Sequence, residues 1–222
     1  MERVDLATFT RRIREAAPRA PVIVTDLAAE WPALTQWTHD SLRERLGLPA
    51  IGVGVALPEA LAGEVAFPPF TRLRQQSNLW LARDGQISEL HYDLPHNLNT
   101  VVRGDKEVHL FAPRERRNLY PCSAFGAFGA LNSRVRLDEV GPAFPRVRRA
   151  HYWRTKVVAG ETLYIPPFFW HHVRSGGESV AVNVWFHLEP RKFLRVLGWP
   201  RGALVTAAVN VARARLRGGP RA

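Results

Sequence analysis

Two stretches of this chain carry residue types that can hold a metal. The first is His91-Tyr92-Asp93, closing the segment Gln86-Ile87-Ser88-Glu89-Leu90. The second is His171-His172, which follows Ile165-Pro166-Pro167-Phe168-Phe169-Trp170. Residues two apart on a strand project to one face, so His91 and Asp93 present an imidazole and a carboxylate together. A third donor must come from elsewhere. Successive strand residues face opposite ways, so only one of His171 and His172 can point inward with them. The spacing leaves that choice open, and the other histidine is expected as a hydrogen-bonding neighbour. Two imidazoles and one carboxylate leave three adjacent positions of an octahedral metal free. That arrangement suits a non-haem Fe(II) oxygenase, where a co-substrate and O2 bind side by side. A structural zinc site would close its coordination shell, usually with Cys, and Cys122 is the single cysteine. A lone His-X-Asp is a weak signal. The order of the surrounding elements strengthens it.

The 222 residues suffice for one domain, or one with an appendage. Apolar residues make up 46% and there are seven Trp, which favours a sheet-rich core. The formal charge of +11 would suit nucleic acid or an anionic membrane. Of 31 basic residues, however, only Lys106, Lys156 and Lys192 are lysines, beside plentiful Ala, Gly and Pro. The excess therefore reads as a compositional preference for Arg, and acidic partners stay open. A single cysteine excludes a disulfide framework and fits a reducing compartment. The start Met1-Glu2-Arg3-Val4-Asp5 lacks the apolar run of a signal peptide, and no stretch of the chain suits a transmembrane helix. The expectation is a cytoplasmic bacterial protein without membrane insertion.

The elements that must position the donors follow from the pattern. Asp5 to Ala17 predicts a short helix with Leu6, Phe9 and Ile13 on one face. Pro21 to Thr25 predicts a strand, Trp31 to Trp37 a turn, and Asp40 to Leu46 a helix capped by Thr38 or Asp40 and stopped at Gly47. Ile51 to Val55 is a further strand. Pro58 to Arg74 reads as a loop or short helix crossing the mouth of the fold. Strands are expected at Leu79–Ala82 and Ile87–Tyr92, with a turn at Asp84-Gly85. Asn99 to Arg103 and Lys106 to Phe111 read as a hairpin about Gly104-Asp105. Pro113 to Asn118 is a charged turn. Residues 123–150 read as a long insert. Strands resume at Trp153–Val158, Thr162–Ile165 and His171–Arg174. Gly176-Gly177 then turns the chain into a long strand, Ser179–His187.

That last strand has two faces. Ala181, Asn183 and Trp185 share one; Val180, Val182, Val184 and Phe186 share the other. An amide and an indole on one face suit a polar cavity, while the apolar face suits a core. Phe193 to Arg217 reads as helical with a break at Trp199-Pro200. Many short strands joined by turns indicate a mainly β fold, a jelly-roll or cupin-like barrel. It occupies about 1–190, with N-terminal α/β elements and a helical tail at 191–222.

With these residues in place, the chain resembles the JmjC-type, cupin-like Fe(II)/2-oxoglutarate-dependent oxygenases. It most resembles the branch containing the asparaginyl hydroxylase of hypoxia-inducible factor. The resemblance runs from about Ser77 to Phe186. It is carried by Ser77-Asn78-Leu79 through Asp93, by Gly160-Glu161-Thr162-Leu163-Tyr164-Ile165-Pro166 before Trp170-His171-His172, and by Val182-Asn183-Val184-Trp185. It implies a double-stranded β-helix and iron ligands His91, Asp93 and His171, the first of the histidine pair. It implies Lys106 as the anchor of the distal carboxylate of 2-oxoglutarate and Ser88 as a hydroxyl bonding that carboxylate. Asn97 and Asn183 would be amides near the metal. For Lys106 the residues agree: a dicarboxylate needs a cation at the far end of its pocket, and Lys106 shares a face with Val108 and Leu110. The plainer alternatives are a solvated hairpin lysine and, for Asn97, a turn residue after Leu94-Pro95-His96. One departure stands out. The family places a further Tyr upstream on 2-oxoglutarate, and no Tyr precedes Tyr92 here. Trp80 or Trp185 could fill the space, though core packing is the commoner role of either.

The implied activity is oxidative: Fe(II) and 2-oxoglutarate as cofactors, O2 consumed, and a protein side chain or small molecule hydroxylated. Rival readings are a metal-binding cupin without catalysis and a hydroxylase of RNA or tRNA bases. Residues 134–156 are basic enough for RNA or an acidic polypeptide, with a solvated loop as the plainer role. The C-terminal helices resemble the family's dimerisation elements and would make a homodimer.

Overall fold

The computed structural model describes residues 1–47, 53–123 and 131–188. Among them nine strands form one hydrogen-bonded network. These are β1 (Arg3–Val4), β2 (Val22–Val24), β3 (Val53–Ala56), β4 (Arg74–Ala82), β5 (Ile87–Tyr92), β6 (His96–Phe111), β7 (Tyr152–Val158), β8 (Thr162–Ile165) and β9 (Trp170–Phe186). The mainly β, jelly-roll expectation holds.

Two long strands organise the rest. β6 and β9 pair antiparallel from His96↔Phe186 to Phe111↔Trp170. Their halves around Asn97–Thr100 and Val180–Phe186 are flanked by β8 and β4, with β2, β1 and β3 beyond. Their other halves are flanked by β7 and β5. Each long strand thus passes from one sheet into the other, and a cavity forms between the two layers.

Glycines make that passage. Gly104 has φ +70, and a Cβ there would lie 2.8 Å from the Gly176 carbonyl. A Cβ on Gly176 would lie 2.4 Å from Asp105 Oδ1. The pairing register shifts between Arg103 and Asp105, as at a β-bulge. Two expectations are corrected here. Gly104-Asp105 does not turn a hairpin, because residues 96–111 are one continuous strand. Gly176-Gly177 does not separate two strands, because residues 170–186 are also one. A bend and a tight turn both demand a backbone without a Cβ, so the local sequence looks the same for each.

The N-terminal elements close one side. Helix α1 (Leu6–Glu15) starts where the Asp5 carboxylate accepts from Thr8 N at 2.6 Å, and it buries Phe9 and Ile13. A four-residue helix α2 (Ala33–Gln36) takes the place of the expected turn. Helix α3 (His39–Leu46) is capped by Thr38 and ends at Gly47 with φ +60. Residues 58–74 hold helix α4 (Glu59–Ala62) and a 3-10 turn at Pro69–Thr71. They do not cross the mouth: Leu61 and Val65 join the main core with Phe9, Trp31 and Trp37. The outward side chains of β9, Val180, Val182, Val184 and Phe186, are fully buried in the same core. Each contributes about 1.5–3 kcal/mol by burial.

The described part of the insert is structured. Leu131 O accepts from Tyr92 N at 3.0 Å, and Ser133 N donates to Leu90 O at 2.8 Å. Val135 is buried. Residues 131–135 therefore lie along β5 rather than forming a solvated loop. The tail at 191–222 and the dimerisation helices lie outside the described residues. No described helix is long and apolar enough to cross a membrane.

Candidate metal centre

β5 ends in His91 and Tyr92, Asp93 follows, and β9 opens with Trp170 and His171. His91 and His171 are directly cross-strand partners. The donor atoms of His91, Asp93 and His171 all lie within 4.8 Å of one another, and the two imidazole centroids are 4.2 Å apart. The turn before His171 is tied to the His91–Asp93 segment, because Phe168 N donates to Asp93 O at 2.8 Å. Phe168 sits at φ 62. A residue with a Cβ occupies that region at a cost of about 1–2 kcal/mol.

Each donor is held from behind. His91 Nδ1–H donates to the Glu89 carbonyl at 2.6 Å, and His171 Nδ1–H donates to the Phe169 carbonyl at 3.0 Å. A backbone carbonyl on Nδ1 sets the tautomer and leaves Nε2 to ligate. Burial, then the neighbouring His91, pushes His171 down to about 4, so its imidazole is neutral and its lone pair available. Asp93 Oδ2 accepts from Asn97 Nδ2 at 3.1 Å and from Trp185 Nε1 at 3.0 Å. Those donors fix the carboxylate's orientation. The amides continue inward. Asn183 Nδ2 donates to Asn97 Oδ1 at 3.2 Å, while Asn183 Oδ1 accepts from Asn78 Nδ2 at 3.0 Å and Trp80 Nε1 at 2.7 Å.

The three donors open onto a cavity of 220 Å³. Lys106 lines the same cavity, with Ser88, Val108, Val157, Leu163 and Val173 on its wall. Lys106 is only 8% exposed, and its Nζ donates to Ser175 Oγ at 3.2 Å. Burial alone pushes its pKa down to about 8. From the ordinary 10.5 that is on the order of 3 kcal/mol of charging cost. A carboxylate ligand placed against it would relieve that cost. The residues fit iron and 2-oxoglutarate on these grounds: two imidazoles with a carboxylate at one end, and at the other a buried cation with no carboxylate partner among the described residues.

All the residues singled out from the sequence, His91, Asp93, His171, Lys106, Ser88, Asn97 and Asn183, line this one cavity. The choice between adjacent histidines is resolved by the strand alternation. His171 faces the cavity, whereas His172 faces outward, with Nε2 at 3.4 Å from Asp138 Oδ2. Asn97 is a strand residue, not a turn residue. Trp80 and Trp185 both line the cavity with their indole N–H groups bonded, instead of packing in the core. Asn78, Asn99 and Ser175 were missed. Asn99 carried a signal, since it shares a strand face with Asn97. Asn78 and Ser175 are the cross-strand partners of Asn183 and Lys106, which only the register shows.

Residues 55–192 match the family described as cupin-like domain. Among curated relatives, the Jumonji C domain-containing protein 5 of Drosophila melanogaster is 31% identical over 135 residues, covering 57% of this chain and 33% of that protein. The lysine-specific demethylase JMJ30 of Arabidopsis thaliana is 28% identical over 220 residues, covering 78% and 51%. The human bifunctional peptidase and (3S)-lysyl hydroxylase JMJD7 is 23% identical over 249 residues, covering 78% of each. The chain spans about a third to a half of the first two relatives' lengths. With the matched segment holding both long strands and all the cavity's polar residues, the chain belongs to the cupin-like domain family, of the JmjC type.

Proposed function

We propose that the chain is an Fe(II)- and 2-oxoglutarate-dependent oxygenase that hydroxylates a protein side chain or a small molecule. The observation that carries this reading is Lys106, a buried cation facing into the same cavity as His91, Asp93 and His171. A cupin that only bound a metal, or that used O2 without an acidic co-substrate, would have no use for it. The names of the relatives, a demethylase and a lysyl hydroxylase among them, support the same class.

His91, Asp93 and His171 would hold the iron on one side and leave the opposite side to ligands. Bound iron would supply the oxidising chemistry: O2, 2-oxoglutarate and a substrate C–H bond would give one hydroxyl, succinate and CO2. The chain's own work is placement. Lys106, held by Ser175, takes the distal carboxylate of 2-oxoglutarate, with the Ser88 hydroxyl beside it. Asn97 and Trp185 keep the Asp93 carboxylate in one orientation. Val108, Leu163, Ile165 and Val173 give the cavity an apolar wall between the two ends. No general base is needed, since no protein group must remove a proton from the substrate.

The test is succinate formation. Iron-loaded protein should convert 2-oxoglutarate slowly to succinate without added substrate, and His91→Ala should abolish it. Turnover unchanged in His91→Ala would overturn the assignment. Metal binding with no 2-oxoglutarate turnover would instead favour the metal-binding cupin. Mass spectrometry for +16 Da products, from peptide and small-molecule pools, would then identify the substrate.

A further inference from the structure

His91 and His171 stand on neighbouring strands whose ladder is broken beside them. Ser88 pairs with Val173 and His91 with His171, with a register shift between. Two residues of β5, Glu89 and Leu90, therefore oppose the single residue His172 on β9. A bulge leaves part of the ladder unpaired and bends its strand. It falls immediately before His91, so the pairing His91↔His171 and Tyr92↔Trp170 stands at the end of the ladder, cut off by the bulge from the pairs Ile87↔Arg174 and Ser88↔Val173.

The segment 131–138 spans this defect from outside. Along the free edge of β5, Ser133 N donates to Leu90 O and Leu131 O accepts from Tyr92 N. These bonds bracket His91, which forms an antiparallel bridge with Asn132. Ser133 Oγ braces the segment in turn, donating to Leu119 O at 2.5 Å and accepting from Val135 N at 2.8 Å. The chain then crosses the outer face. Arg136 Nε lies 3.3 Å from Glu89 Oε1 on the bulge itself. Asp138 reaches β9, with Oδ1 at 2.8 Å from Arg174 and Oδ2 at 3.4 Å from His172 Nε2.

We infer that residues 131–138 are a staple across the bulge, and that Asp138 is a positioning residue that holds His91 and His171 at their cross-strand spacing. The inference rests on reading those histidines as metal ligands. Asp138 touches neither ligand. It acts through the segment hydrogen-bonded to β5 on one side and through His172 and Arg174 on the other. Its contacts are on the opposite face of β9 from the cavity. Asp138 and Arg174 are 34% and 43% exposed, so their ion pair contributes little to global stability. The consequence of losing it is local, and metal affinity is where it is read.

The experiment titrates Co(II) into the metal-free full chain, followed by its visible absorption bands and by calorimetry. Asp138→Ala should weaken Co(II) binding by about tenfold, the lower end of what losing a group bonded directly to a ligand costs, and alter the visible bands, with a thermal midpoint near that of the unsubstituted protein. Asp138→Asn keeps the side-chain size, so it tests the same contact without a packing change and should weaken binding in the same direction. Arg3→Ala breaks an ion pair of the same 2.8 Å length, with Glu161, remote from β5, and should leave Co(II) affinity unchanged. Affinity in both Asp138 variants equal to that of the unsubstituted protein overturns the staple while leaving the metal centre standing. An equal loss in Arg3→Ala overturns it too. Co(II) binding that survives His91→Ala undiminished overturns the metal centre and the staple together.

Discussion

In the half of β9 from Val180 to Phe186, the side chains facing away from the cavity are Val180, Val182, Val184 and Phe186, all in the main core. In the half from Trp170 to Arg174, those beyond Trp170 are Arg174, ion-paired with Asp138, and His172, 3.4 Å from the same carboxylate. The inward faces differ in the matching way. The first half presents Asn183 and Trp185, which belong to the hydrogen-bond chain around Asp93. The second presents His171 and, next to it, the Val173 wall. A wall packed into a core is immobilised by many small contacts. A wall held by a few polar contacts can be loosened one contact at a time. The half of β9 that carries His171 is the one built the second way.

Substitutions separate the two halves. The largest effect belongs to the proposed iron ligand: His171→Ala should reduce succinate formation to background, more than the roughly 10–100-fold cost of changing a group that only bonds a ligand. In the packed half, Phe186→Ala should cost about 3–5 kcal/mol in denaturant unfolding, and a much smaller loss would mean that the core is not what anchors that half. Lys106→Ala should raise the KM for 2-oxoglutarate by an amount equivalent to about 2–5 kcal/mol, the cost of truncating one partner of a buried charge pair. Normal 2-oxoglutarate binding by that variant would sink the pocket assignment. Trp185→Phe keeps an aromatic ring, though a smaller one, and removes the donor to Asp93, for an expected loss of about 1.5–3 kcal/mol in metal binding.

Lys106 also gives a pH dependence whose sign is definite. Its folded pKa is near 8 against an ordinary 10.5. Below pH 8 it is charged in both folded and unfolded chains, and the cost of the buried charge is fully present. Between 8 and 10.5 the unfolded chain binds more protons, so the ligand-free protein should gain stability as pH rises through that window. Binding of 2-oxoglutarate needs the charged form and should weaken above about pH 8, measured as KM against pH. Lys106→Met should remove both trends.

Much of this site was legible in the chain because strand alternation is a local rule. His91 and Asp93 two apart, Asn183 and Trp185 two apart, and the apolar run from Val180 to Phe186 each declared a face without any partner strand. The insert was read poorly for the opposite reason. Leu131, Ser133, Arg136 and Asp138 have no periodicity of their own, and their partners, Tyr92, Leu90, Glu89, His172 and Arg174, lie some 40 residues away on either side. Gly104 and Gly176 misled because a glycine at a bend and a glycine in a turn satisfy the same backbone need.

The amino-acid sequence by itself determined the composition of the centre: two imidazoles, one carboxylate, a lysine on a strand face, and the alternation that lets only one of two adjacent histidines face inward. Tertiary structure decided which histidine that is, that Lys106 pairs with Ser175, and that the two glycines bend long strands instead of ending short ones. The physical reason is range. Side-chain direction follows from the dihedrals of a few neighbouring residues. Register between segments tens of residues apart follows from the packing of a whole core and the bulges it tolerates.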